Sequence, residues 1–125
     1  MILLLSSEPV VRSVMKEILE QAGYVVLATG SFGVAVDMLM DCQIDLLITH
    51  PYIESIPGHE AARYLRARNP EMEILIVAGL LDDDRLQIRA ALESFEVFPP
   101  PFTAAQLIGK VKEMLTKAQE RSARQ

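Results

Sequence analysis

The chain has a single cysteine, Cys42. It cannot close an internal disulfide, and no Cys or His stands at metal-ligand spacing from it, so neither a disulfide framework nor a zinc site is supported. Cys42 reads as a small hydrophobe at a helix end. Long apolar runs are also missing: stretches such as 44–48 and 74–78 fall far short of the roughly 20 residues that a membrane-spanning helix needs. No membrane association is expected. The opening Met1-Ile2-Leu3-Leu4-Leu5 is apolar, but no basic residue precedes it and it meets Glu8 and Pro9 almost at once. That is unlike a secretory signal, and it reads as a buried strand of a cytoplasmic protein. Ser6-Ser7-Glu8 stands after that run where a phosphate-cradling loop would need glycines. Internal repeats and low-complexity segments are absent. Positive charge is scarce in the body: residues 1–102 carry 7 basic and 15 acidic side chains, whereas residues 103–125 carry 5 basic and 2 acidic. Nucleic-acid binding needs a concentrated Lys/Arg face, so none is expected of this body. The basic end reads as a solvated helix terminus.

What remains is a chain of 125 residues, half of them hydrophobic, enough for one domain with a sizeable core. Short β-rich apolar runs alternate with longer amphipathic stretches, the pattern of βα units on a parallel sheet. Strands are predicted at residues 2–5, 24–28, 45–49, 73–77 and 95–98, most without polar alternation, as expected where helices cover both sheet faces. A first helix is predicted over 8–22, with Ser7 as N-cap, an inward face of Val11, Val14, Met15, Ile18 and Leu19, and Gly23 as its stop. The second helix starts after Ser31. Its inward stripe is Phe32, Ala35, Val36 and Leu39, while Val34 and Met38 are expected to face outward. The third, 58–69, ends at Asn69-Pro70 and exposes Arg63, Arg66 and Arg68 together with His59 as a solvated face. A fourth spans 82–93, its Asp82-Asp83-Asp84 suited to the positive end of the helix dipole. The fifth begins at Thr103, forms a capping box with Gln106 and buries Leu107, Ile108, Val111 and Leu115. The domain is taken as residues 1–117, with 118–125 a polar tail or the start of a linker.

Leu3-Leu4-Leu5-Ser6-Ser7-Glu8-Pro9-Val10-Val11-Arg12 resembles the opening of response regulator receiver (CheY-like) domains, in which the first strand runs into acidic residues and then Pro. Gly23-Tyr24-Val25-Val26 resembles the join to the second strand, Ile44-Asp45-Leu46-Leu47-Ile48-Thr49 the third strand, Gly58 the glycine opening the third helix, and Pro101-Phe102 the Pro-Phe before the fifth. The resemblance covers about residues 1–117. It implies a flavodoxin-like, doubly wound (βα)5 α/β fold with parallel order 2-1-3-4-5, whose switch point lies at the carboxyl ends of strands 1 and 3. It also implies that the Pro100-Pro101 bond is a candidate cis peptide in a stiff turn, 99–101.

In that family an aspartate ending strand 3 accepts a phosphoryl group, acidic residues after strand 1 hold Mg²⁺, and a Thr/Ser and a Lys bind the phosphoryl oxygens. By the same resemblance these positions map to His50, to Ser6 and Ser7, to Ala78 and to Pro100, with Val97 at the aromatic switch position of strand 5. Only Glu8 keeps a carboxylate nearby. Mg²⁺ demands hard oxygen ligands, so this degenerate pocket is expected to bind no metal, require no cofactor and catalyse nothing. His50 itself reads as a partly buried imidazole hydrogen-bonded to a hydroxyl or backbone group.

The expected function is therefore that of an atypical receiver domain in two-component-type signalling. It would act by phosphorylation-independent contact with a protein partner or by self-association, and could regulate an attached output domain. Candidate contacts are Leu86, Val97 and Phe98, with Val34 and Met38 as a second patch. The alternative is a small-molecule or nucleotide sensor in the vacated crevice at the ends of strands 1 and 3.

Overall fold

The computed structural model describes residues 1–50, 52–53, 56–77, 96–98 and 103–123. Five parallel strands form the sheet: β1 (Ile2–Leu5), β2 (Val26–Thr29), β3 (Leu46–Thr49), β6 (Glu73–Val77) and β7 (Glu96–Phe98), in the order β2-β1-β3-β6-β7. Two-residue strands β4 (Tyr52–Ile53) and β5 (Ile56–Pro57) pair antiparallel outside it. The helices are α1 (Pro9–Gln21), α2 (Phe32–Asp41), α3 (Gly58–Arg68) and α4 (Ala104–Ala123). This is the α/β order expected, and the predicted fourth helix at 82–93 lies outside the described residues.

Successive side chains of a strand point to opposite faces, and here both faces are dry. Leu3, Leu5, Leu47, Ile74 and Ile76 project into a layer closed by Ala35 of α2 and by Ala62 and Leu65 of α3. Ile2, Leu4, Leu46, Ile48, Leu75 and Val77 project the other way, onto Met15 and Leu19 of α1 and Leu107, Val111 and Met114 of α4. The unbroken apolar runs of β1 and β3 are thus two interleaved faces. Strand boundaries differ from expectation by little: β2 starts at Val26, since Val25 is exposed, and β3 starts at Leu46, since Asp45 is exposed.

Several helix expectations need correction. Ser7 is not the N-cap of α1. Pro9 opens the helix, where a residue without an N–H costs nothing, and this puts Glu8 at the cap position with no side-chain cap bond. Val11 and Val14 are exposed, because α1 meets the sheet along a narrow line of Met15, Leu19 and the half-buried Ile18. Met38 is not outward: α2 packs against α3 as well as the sheet, so its packed arc widens to include the half-buried Met38, and Met40 is the exposed methionine of this helix at 76%. Arg63 and Arg68 are exposed, but Arg66 is half-buried and Arg68 lies over the Tyr64 ring, 4.2 Å from its centroid, so the arginine group is not the uniform solvated face expected. α4 does not fade at Lys117 but continues to Ala123.

Other local readings hold. α2 starts after Ser31 as expected, and the structure adds that Ser31 caps it, its Oγ accepting from the Val34 amide at 3.3 Å. Thr103 and Gln106 form the reciprocal capping box: the Thr103 amide donates to Gln106 Oε1 at 2.8 Å, and the Gln106 amide to Thr103 Oγ at 3.1 Å. Gly23 ends α1 with φ +100°, a conformation that disfavours any side chain.

Two substitutions separate these contributions. Leu47→Ala, at a fully buried site of the central β3, is expected to cost about 2–5 kcal/mol through lost burial and a residual cavity. Gly23→Ala meets open space but must hold a positive φ, and is expected to cost about 1 kcal/mol. Urea denaturation measures both, and the reverse ordering would contradict the packing described.

Candidate functional site

The carboxyl ends of β1, β2 and β3 form the crest of the sheet. β1 pairs with β3 in the register Leu5 to Thr49, so the next residues, Ser6 and His50, stand on adjoining strand ends. Ser6 and Thr49 are fully buried, His50 is half-buried and Ser7 is exposed. Ser6, Ser7 and His50 therefore stand at one end of the sheet, at the carboxyl ends of β1 and β3. Ala78 and Pro100 lie outside the described residues, as do Asp82-Asp83-Asp84 and Leu86. Val97 and Phe98 belong to β7, at the sheet edge.

Hydrogen bonds at the crest tie it together. The Ser6 amide donates to the Thr29 carbonyl at 3.0 Å, extending the β1–β2 ladder by one residue. Ser6 Oγ accepts from the Glu8 amide at 3.3 Å, in the position a capping side chain would fill. Thr49 Oγ1 donates to the His50 carbonyl at 3.3 Å, and Nε2 of His50 is shielded from solvent. Among the described residues, no three His, Cys, Asp or Glu side chains cluster closely enough to share a metal ion.

A cationic group that sequence reasoning passed over also sits here. Arg12, one turn into α1, folds back so that its Nη1 donates to the Ser6 carbonyl at 2.7 Å. It fits because residue 30 is glycine. A Cβ there would lie 2.5 Å from Arg12 Nη1, 3.1 Å from the Ser6 carbonyl oxygen and 3.6 Å from Ser7 Cα. The β1–α1 and β2–α2 connections are thus locked backbone against guanidinium. The signal in the sequence was an arginine one turn after the strand-ending serines and a glycine at the end of β2, but only the fold brings the two together.

The opposite end of the sheet holds a cavity of about 430 Å³ lined by residues including Tyr24, Gln43, Asp45, Asn69 and Glu71. There Asn69 Nδ2 donates to the Ile44 carbonyl at 2.8 Å and Asp45 pairs with the Met1 ammonium. It is remote from Ser6 and His50.

The Arg12–Gly30 contact is testable. Gly30→Ala is expected to cost about 1–3 kcal/mol by overpacking, and less in an Arg12→Ala background, where only the Ser6 carbonyl remains to be displaced. A double-mutant cycle by urea denaturation measures the coupling. Strict additivity would show that the guanidinium does not occupy this place.

Comparison with known proteins agrees with this architecture. The response regulator receiver domain family matches over residues 2–112. A receiver protein from Sinorhizobium medicae WSM419 is 28% identical, with TM-score 0.81 and 94% of each chain covered. A CheY-like receiver domain protein from Methanospirillum hungatei JF-1 superposes with TM-score 0.88 over 96% of each chain at 19% identity, which speaks for the fold alone. The sensor kinase CckA of Brucella abortus (strain 2308) is 28% identical over 118 residues, covering 93% of this chain but only 12% of that protein. Among the described residues no helix is long and apolar enough to cross a membrane. With an α/β sheet in the order β2-β1-β3-β6-β7 and its crest at the ends of β1 and β3, the chain belongs to the response regulator receiver domain family.

Proposed function

We propose that this receiver domain signals by protein contact, without accepting a phosphoryl group and without catalysing a reaction. The observation that carries this reading is the chemistry of the crest. Where a receiver would gather carboxylates at the ends of strands 1 and 3, this chain brings together two serines and a histidine, with a guanidinium close behind. Such a donor set does not fit Mg²⁺. The ion keeps near-ideal octahedral oxygen coordination and gives up its waters reluctantly, typically to carboxylates. Ser6 Oγ is buried and already accepts the Glu8 amide. Ser7 is an exposed neutral hydroxyl, and an imidazole is a poor ligand for so hard a cation. Arg12 adds a positive charge beside the Ser6 carbonyl, and a dication approaching there would be repelled.

A ligand shifts a two-state equilibrium only by its differential affinity for the states. Without metal and phosphoryl group, the usual input to a receiver is gone, and a constitutively presented surface is the output that remains. Val34 of α2 is exposed and available for contact. Leu86, Val97 and Phe98 are further proposed contacts. The proposed surroundings are a signalling protein that extends beyond residues 1–117, since the kinase relative is many times longer than this chain. The sensor reading of the crest is not favoured, because its one described cation is already bonded to a backbone carbonyl.

Two outcomes are expected. Acetyl phosphate or beryllofluoride with Mg²⁺ leaves the amide NMR spectrum unchanged, whereas saturable shifts centred on Ser6, Ser7 and His50 would refute the reading. His50→Asp alone also incorporates no labelled phosphate, because the metal would still face Ser6 and Ser7. Labelling of that variant would show that the crest has been misread.

A further inference from the structure

α2 and α3 lie side by side on one face of the sheet, joined beneath by Ala35, Ala62 and Leu65 and at the edge by Phe32 and Tyr64, whose ring centroids are 5.4 Å apart. Their outward surfaces carry opposite charge. On α2 the exposed residues are Gly33, Val34, Asp37, Met40 and Asp41, with no basic side chain anywhere in the helix. On α3 they include Arg63, Tyr64, Ala67 and Arg68, with Arg66 half-buried and Glu60 the lone acid. α1 is different: Arg12, Lys16, Glu17 and Glu20 mix both signs along it. The charges on α2 and α3 also flank apolar side chains, since Met40 is 76% exposed, Val34 43% and Tyr64 44%. None of the ion pairs formed among the described residues involves Asp37 or Asp41.

We infer that this face pairs with the same face of a second copy of the chain, across a two-fold axis that sets α2 of each protomer against α3 of its partner. A two-fold interface must be self-complementary. Two adjacent stripes, one acidic and one basic, meet that condition, because the axis running between them exchanges acid for base on both sides at once. Asp37 and Asp41 stand one turn apart on one side of α2, roughly 6 Å along the axis, whereas Arg63 and Arg68 are roughly 7.5 Å apart along the axis and about 140° apart around it, so the pairs match in axial span while Arg68 lies on a different side of α3, beside Tyr64. Met40, Val34, Tyr64 and Ala67 supply the apolar contact between them. The inference rests on the protein-contact reading above and names its surface and partner.

The face is small. Two helices about 15 Å long with axes about 8–10 Å apart offer less than the roughly 800 Å² per partner of a standard interface. Association is therefore expected to be weak, concentration-dependent and loosened by salt, which screens exposed charge.

Sedimentation velocity of the whole chain, from about 10 µM to about 1 mM at low and high salt, reads this directly. Asp37→Lys with Asp41→Lys places like charges in both halves of the interface and is expected to weaken self-association at least tenfold. Arg63→Asp with Arg68→Asp is expected to do the same. Mixing the two variants restores it, because each half of the mixed dimer again joins opposite charges, and so does combining all four substitutions in one chain. The substituted side chains are exposed, and circular dichroism confirms the fold of each variant. A chain that stays monomeric throughout, a dimer indifferent to the charge reversals, or variants that do not recover on mixing would each overturn the pairing. The phosphate and Mg²⁺ tests are blind to all of these outcomes, so the contact reading fails or survives there independently.

Discussion

The molecule depends on one constraint: β1 and β3 are buried on both faces at once. A parallel strand in the middle of a sheet has no wet side, so each residue from Ile2 to Leu5 and from Leu46 to Thr49 must find a partner layer above or below. Period-two alternation then divides the chain's hydrophobes into two cores, one closed by α2 and α3, the other by α1 and α4. A slip of one residue in either strand would exchange the two sets. The register that prevents this also fixes where the strands stop, and therefore which residues meet at the crest.

Ser6 and Thr49 show how the constraint reaches the site. Both are fully buried polar residues at the ends of central strands, and each hydroxyl finds a local backbone partner. Buried hydroxyls without such partners would be costly. Serine and threonine can meet that requirement with a single short bond. A carboxylate at the same depth would bring a charge needing a cation or several donors, whereas Ser6 and Thr49 each need only the short bond they have.

The sequence made the sheet readable because its strands are continuous apolar runs between recognisable helix signals. The 73–77 strand, the start of α2 after Ser31 and the Thr103–Gln106 box follow from local chemistry and lie where local chemistry places them. Misreadings arose where tertiary packing decides. Val11 and Val14 satisfy helical periodicity, yet α1 touches the sheet too narrowly to bury them, while Met38 falls outside the simple stripe but inside the wider arc that α3 closes over α2. At the crest, adjacency of Ser6 and His50 follows from strand order and was legible. The Arg12–Gly30 contact was not, because it joins two loops that no sequence spacing connects.

That contact also links the crest to the helical face beyond it. Gly30 abuts the Arg12 guanidinium and the Ser6 carbonyl; the next residue, Ser31, caps α2; the next, Phe32, begins α2 and meets Tyr64 of α3, over which Arg68 stacks. Three consecutive residues thus join the end of β1 to the surface of α2 and α3. In a receiver whose crest changes state, such a chain of contacts could carry a displacement outward, since coupling needs contiguous elements with two arrangements available to both ends. Here Arg12 holds the crest end with a 2.7 Å hydrogen bond to backbone, and a side chain longer than glycine at residue 30 would collide with it. The contacts therefore act as a brace: they hold the start of α2 in one place relative to β1. The constitutive surface proposed above would need that kind of fixity, because every alternative arrangement of α2 would subtract from the population able to bind.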